Sequence, residues 1–240
     1  MKITSIILLM VFGTFSSVQG MKNAKPQVSY IGFNTLKVDQ KVSHNKAFNT
    51  YIAAILPIMA KYDMGLQVYR VDHNSNPEIP VDYITFGTAP DQTTFQKFFA
   101  DAELQAQFPK LVDALQSHFV TFLDQPIMPK MTKVPYTQLT LDWLINKDDE
   151  TKKKLAGIDD ALLRYASNLK ADKAYAAEGL FATIGLTDDV VPVEPPSQVA
   201  IWHMEAPHDF LENKEVRALN KQAATLSKDF RSYWITRQHY

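Results

Sequence analysis

Residues 84–90 read ITFGTAP and residues 201–207 read IWHMEAP. Each is a short apolar and aromatic run that ends in Ala-Pro and leads into a segment of helical spacing. Phe95 lies in the opening turns after the first run, and Phe210 after the second. Runs of this kind bounded by turn residues read as strands. Further along, AELQAQF at 102–108 parallels KEVRALN at 214–220, and SHFVTFL at 117–123 parallels RSYWITR at 231–237. The offsets are about 112 to 117 residues, so one order of elements recurs with only a few insertions.

The pattern extends in both directions from these anchors. Residues 29–38 (SYIGFNTLKV) form a first strand, and 44–62 place Phe48, Tyr51, Ile52, Ile55, Leu56, Met59 and Tyr62 at helical intervals, with Pro57 expected to bend or divide the helix. Strands follow at 65–71 and 81–88, separated by the turn residues 74–80. A long helical segment starts at Pro90-Asp91 and runs to about Leu115, with a local break expected within 102–109, and 119–123 close the unit as a strand. Residues 126–135, part of the three-proline stretch QPIMPKMTKVP, form the linker. The second passage reads strand 136–145, helix 148–169, strand 176–186, strand 198–205, helix 209–229 and strand 231–237. The domains are therefore 29–125 and 136–238.

Each passage is a strand–helix–strand–strand–helix–strand unit. Its strands carry apolar or aromatic residues on both faces: Leu66 and Val68 alternate with Tyr69 and Val71, Ala200 and Trp202 with Ile201 and His203. Helices cover only one face of such a sheet, so the other needs a second sheet against it. The expectation is an α+β protein of two repeats whose antiparallel sheets pack face to face, with helices outside.

This βαββαβ order, with the aromatic-rich segment FQKFFADAELQAQFPK, resembles the dimeric α/β-barrel superfamily of ferredoxin-like folds, which includes antibiotic-biosynthesis-type monooxygenases and stress-responsive barrel domains. The resemblance covers both halves and rests on topology, without a distinctive catalytic motif. It implies a tandem duplication that forms an intrachain pseudo-dimer around a central cavity. Barrel relatives sometimes bind haem through a single His, but no motif in this sequence identifies such a ligand, and no cofactor is assigned.

Residues 1–20 (MKITSIILLMVFGTFSSVQG) have the layout of a secretory signal: Lys2, an apolar run from Ile3 to Phe15, then small residues before Gly20. The run is too short for a membrane span, so a periplasmic or secreted protein without stable membrane insertion is expected. The chain has 240 residues and 25 Lys and Arg against 26 Asp and Glu. That balance lacks the basic footprint of a nucleic-acid binder. With no cysteine, thiol catalysis, iron–sulfur clusters and thiolate zinc sites are excluded. A monomer is expected, with a higher homo-oligomer left open.

Candidate site residues follow from strand alternation. On 201–205, Ile201, His203 and Glu205 share a side, so His203 and Glu205 could form an acid–base pair, His titrating near neutrality; His203 could equally be a satisfied wall residue. Asp142 shares a side with Tyr136, Gln138 and Thr140 and is either a solvent-facing acid or a catalytic one, while Trp143 lies opposite with Leu139 and Leu141. Asn34 could donate to a substrate carbonyl or sit at a polar rim. Tyr69, Trp143 and Trp202 are the ligand-binding candidates, able to wall a pocket with a polar handle. The six histidines include no His-Glu-x-x-His and no tight triad, so no metal site is assigned. Three functions fit: an exported protein binding a small apolar or aromatic molecule between its sheets, a cofactor-independent monooxygenase-like enzyme, or a structural or interaction protein with a filled inter-sheet core.

Overall fold

A computed structural model describes residues 11–12, 28–38, 41–123, 136–165, 170–184, 196–205 and 207–240. The expected linker lies outside the described residues. So does the expected export signal, apart from β1 (Val11–Phe12), which pairs antiparallel with Phe181 and Leu180.

The first half runs β2 (Val28–Leu36), α1 (Lys41–Lys61), β3 (Gly65–Asn74), β4 (Tyr83–Ala89), α2 (Gln92–Phe99), α3 (Ala102–Gln105), α4 (Phe108–Ala114) and β5 (Leu115–Leu123). Pro57 does not divide α1. It sits on the exposed side of the helix, as does Ala53 four residues earlier, whose carbonyl a proline leaves without its helical partner. The expected second helical segment is three short helices: the gap between Gln105 and Phe108 falls in the expected break at 102–109, and a further interruption precedes Ala102. Asp91 caps α2 by accepting from Thr94 N at 2.6 Å. Asp101 caps α3 by accepting from Glu103 N and Leu104 N, which restarts the chain in a new direction.

The second half runs β6 (Tyr136–Leu144), α5 (Asp149–Leu162), β7 (Lys170–Ile184), β8 (Gln198–Met204), α6 (Pro207–Glu212), α7 (Lys214–Ala224) and β9 (Ser227–Gln238). The expected helix over 209–229 is again divided. Asn213 accepts from Glu215 N and Val216 N to start α7, at the place Asp101 holds before α3. The two caps have nearly the same dihedrals, φ −65° and ψ 127° at Asp101, φ −64° and ψ 132° at Asn213.

In the first half the strand order is β5-β2-β4-β3, and in the second it is β9-β6-β8-β7. Numbered within each half, both orders are 4-1-3-2, and all pairings are antiparallel. The halves do not meet as two separate stacked sheets. Their edges hydrogen-bond, β3 to β9 and β5 to β7, so β2 to β9 close into a ring. Closure satisfies the backbone groups that four free sheet edges would leave unpaired.

Alternation then sorts the side chains into three cores. Inward-facing Ile31, Phe33, Tyr69, Ile84, Phe86, Leu139, Leu141, Trp143, Val199, Ile201, Tyr233 and Ile235 pack together inside the ring from both halves. Outside the first half, Phe48, Ile52, Ile55 and Met59 of α1 and Phe95 and Phe98 of α2 pack on Tyr30, Val120 and Phe122. Tyr30 lies flat on Gly87 across the ladder. A Cβ on Gly87 would fall 1.9 Å from Tyr30 Cζ. Outside the second half the core is thinner: Leu162, Ala200, Trp202, Met204, Phe210 and Val216. Among the described residues no helix is long and apolar enough to cross a membrane.

Candidate active site

That thinner packing leaves space. In the first half, large aromatics from α1 and α2 reach the outer face of the sheet. In the second, α7 presents Ala223, Ala224 and Asn220, and α6 is only six residues long. A cavity of about 400 Å³ results between the sheet and α5, α6 and α7. Folded interiors rarely leave voids larger than a water molecule, and this volume lies in the range of small-molecule sites. Inside the ring, where a cavity is expected, the described inward-facing residues pack as the apolar core above. This cavity lies on the outer face of the second half.

The floor comes from three neighbouring strands. Outward-facing Gln138, Thr140 and Asp142 of β6 lie between Trp202 and Met204 of β8 and Phe230, Ser232 and Trp234 of β9. The roof includes Leu155, Asp159 and Leu162 of α5, spaced at i, i+4 and i+7 on one helix face. Leu211 and Phe230 line the cavity yet are 39% and 48% exposed, so its mouth is apolar and open.

Its polar groups converge at one end. Asp142 is 7% exposed, and its Oδ1 accepts a 3.0 Å hydrogen bond from Ser227 Oγ. Gln198 is its register partner on β8 and donates Nε2 to Asp159 Oδ2 at 3.2 Å. Gln198 Oε1 accepts no hydrogen bond among the described residues. Burial pushes the Asp142 carboxyl up to about 7; the Ser227 bond works against this, and the charge of Asp159 adds to it. A carboxyl so placed changes protonation near neutrality, as a general base must. Trp202 Nε1 donates to Thr140 Oγ1 at 2.9 Å, which fixes the indole as a flat wall.

The other candidate residues lie elsewhere. His203 is buried on the inward side of β8, its Nδ1 3.3 Å from Thr137 Oγ1. Glu205 is exposed beyond the end of β8, so it does not enter the ring interior with His203. Asn34 is buried under the first-half helices, where Nδ2 donates to Tyr83 O at 3.3 Å and Oδ1 lies 2.6 Å from His118 Nδ1. Burial holds His118 down at about 4, so it stays neutral and donates to Asn34. Tyr69 stacks edge-on against Phe86 in the ring core and donates to Gln67 Oε1 at 2.8 Å. Burial raises its hydroxyl to about 12. Trp143 is also inward-facing, under the Arg231 guanidinium at 4.5 Å from the ring centroid.

Asp142 and Trp202 are thus the two candidates brought together at the cavity. Sequence reasoning missed Asp159, Gln198, Ser227 and His73. Asp159 stands four residues after Leu155 and three before Leu162 on the apolar face of α5, and an acid at that spacing was the available signal. Among the described residues no group of three His, Cys, Asp or Glu could hold a metal ion. Haem held through a single His fits poorly: the histidine lining the cavity, His73, is exposed, and the buried His203 lies inside the ring.

No protein-family model matches the chain, and no curated protein matches it. Solved structures do. An anthrone oxidase-like protein superposes with a TM-score of 0.61 at 12% identity, over 89% of this chain and 92% of that one. A mutant chlorite dismutase from Candidatus Nitrospira defluvii gives 0.52 at 13% identity, over 89% and 93%. A protein named as a candidate monooxygenase from Lactobacillus acidophilus NCFM gives 0.51 at 8% identity, over 88% and 93%. The likeness is one of fold: the chain is an α+β protein of the ferredoxin-like kind.

Proposed function

We propose that this protein is a monooxygenase-like enzyme without a cofactor, acting on a small aromatic substrate held beneath α5, α6 and α7, with Asp142 as its general base. The observation that carries this reading is a buried carboxyl poised near neutral pH in the wall of an apolar cavity. The fold likeness to an anthrone oxidase-like protein and a candidate monooxygenase points to the same chemistry. In the proposed reaction Asp142 removes a proton from a ring-flanked methylene of the anthrone type. The carbanion then reduces and combines with dioxygen, and the resulting hydroperoxide loses water. One methylene and one dioxygen thus give one ketone and one water. Both C–H bonds and the O–O bond break; one oxygen becomes the carbonyl, and the other leaves with the two hydrogens. Trp202 and Leu162 hold the ring plane, and the apolar walls strengthen the electrostatics around the ionising carbon.

We also infer that the two halves arose by duplication and form an intrachain pseudo-dimer. The shared 4-1-3-2 strand order and the matched caps at Asp101 and Asn213 support this. Export by residues 1–20 to the periplasm or exterior belongs to the proposal on the sequence pattern alone.

The test is oxygen uptake and carbonyl formation with anthrone as substrate, comparing wild type with Asp142→Asn. Turnover that falls at least about a hundredfold in the variant is expected for a lost general base. Binding of anthrone with no turnover in the wild type would instead identify a small-molecule-binding protein. Equal turnover in the two proteins would remove Asp142 from the chemistry.

A further inference from the structure

The cavity is built almost wholly from the second half, with one exception. His73 belongs to β3 of the first half and still lines it. Simple alternation would place His73 on the inward side with Gln67, Tyr69 and Val71. A bulge changes this. Val71 pairs with inward-facing Ile235, whereas His73, two residues on, pairs with outward-facing Trp234. Asp72 is the extra residue, and its carboxylate is held by Arg70 at 2.8 Å and by the Thr236 hydroxyl. The following turn is tied to the cavity floor: Ser75 N donates to Ser232 O at 3.0 Å and Ser232 N to Ser75 Oγ at 2.8 Å. A bulge sacrifices ladder pairing and commonly re-aims a side chain beside a site. Here it turns an imidazole out of the ring core and onto the rim of the cavity, and among the described residues His73 forms no hydrogen bond or ion pair there.

Register places this imidazole relative to Asp142. His73 pairs with Trp234, Trp234 with Gln138, and Gln138 with Trp202, so these four cavity residues form one row across β3, β9, β6 and β8. Asp142 lies four residues from Gln138 along β6, about 13 Å along the strand, and two strands across from His73. One end of the row is exposed and carries the ring nitrogens of His73. Away from that row the cavity wall carries the buried carboxyl of Asp142.

We infer that His73 is a specificity-determining residue: it hydrogen-bonds an oxygen substituent, a hydroxyl or carbonyl, on the outer end of an aromatic ligand whose other end reaches Asp142. This rests on the reading of the cavity as the substrate site. It adds the substrate class: ring systems oxygenated at the end remote from the reacting carbon.

Equilibrium dialysis with 2-naphthol and its near-isostere 2-methylnaphthalene tests it in wild type, His73→Ala and Asp142→Asn. Wild type is expected to prefer the hydroxyl compound about tenfold, the worth of one good hydrogen bond. His73→Ala is expected to lose that preference while binding 2-methylnaphthalene as wild type does, which also shows the variant is folded. Asp142→Asn is expected to keep the preference. A preference retained in His73→Ala, or lost in Asp142→Asn, overturns the inference, as does equal binding of the two compounds by wild type. If neither compound binds wild type, the cavity reading fails with it.

Discussion

Ser227 Oγ donates a 3.0 Å hydrogen bond to Asp142 Oδ1 from the first residue of β9, beside the cavity wall. This bond favours the ionised carboxylate, whereas burial and the Asp159 charge favour the protonated acid, and the balance leaves the group near 7. Because the contributions have opposite signs, they can be separated by substitution.

Removing the hydrogen bond with Ser227→Ala should raise the Asp142 pKa. Removing the like charge with Asp159→Asn should lower it while keeping an acceptor for Gln198 Nε2. If Asp142 must be ionised to act, the activity of wild type rises through about pH 7. The limb should move to higher pH in Ser227→Ala and to lower pH in Asp159→Asn. A pH–rate profile of the three proteins checks both directions, and a limb that moves the same way in both would sink the assignment.

Stability should show the same group with the sign of a raised acid. Below the ordinary range for Asp, near 3.8, both folded and unfolded chains carry the proton. As pH rises toward 7 the unfolded chain loses it first, so the stability the proton supplies is progressively lost. At pH 8 the folded chain holds a buried charge at a cost of up to about 4 kcal/mol. Asp142→Asn should therefore raise Tm at pH 8 and change it little at pH 4. A Tm gain that is equal at the two pH values would contradict the burial of the charge.

The contrast between the halves predicts opposite responses to volume changes. Phe95 packs on Tyr30 at 5.2 Å and on Phe122 at 4.8 Å between ring centroids, so Phe95→Ala should cost about 3 to 5 kcal/mol in denaturant unfolding. Ala223→Leu extends into the open cavity and should change stability by less than about 1 kcal/mol while blocking ligand binding. Calorimetric titration of the folded variant checks the second half of this statement.

Gly87→Ala places a methyl group where the Tyr30 ring lies. Overpacking of this kind costs about 1 to 3 kcal/mol. The double variant Gly87→Ala with Tyr30→Leu should recover part of the loss, and a thermodynamic cycle over the four proteins measures the coupling.

Much of the fold was legible because strand alternation and helical spacing are local properties. The alternation in β6 separates Gln138, Thr140 and Asp142 from Leu139, Leu141 and Trp143, and the structure keeps that division. Helix interruptions were less legible. The break between α3 and α4 falls within the 102–109 span expected from the sequence, but the starts capped by Asp101 and Asn213 were not legible, because that capping depends on where the chain can turn against the sheet.

By itself, the sequence determined two βαββαβ passages, the two-faced strands and the pairing of polar and apolar faces, because each depends on neighbours a few residues apart. Tertiary structure alone decided that a cavity opens on the outer face of the second half. Ala223 and Ala224 leave space over the sheet there, while the described inward-facing side chains of both halves pack as one core. It also decided the chemistry of Asp142. A carboxyl beside Thr140 reads as solvent-facing until α5 covers it with Leu155, Asp159 and Leu162, and that desolvation brings its proton into the neutral range.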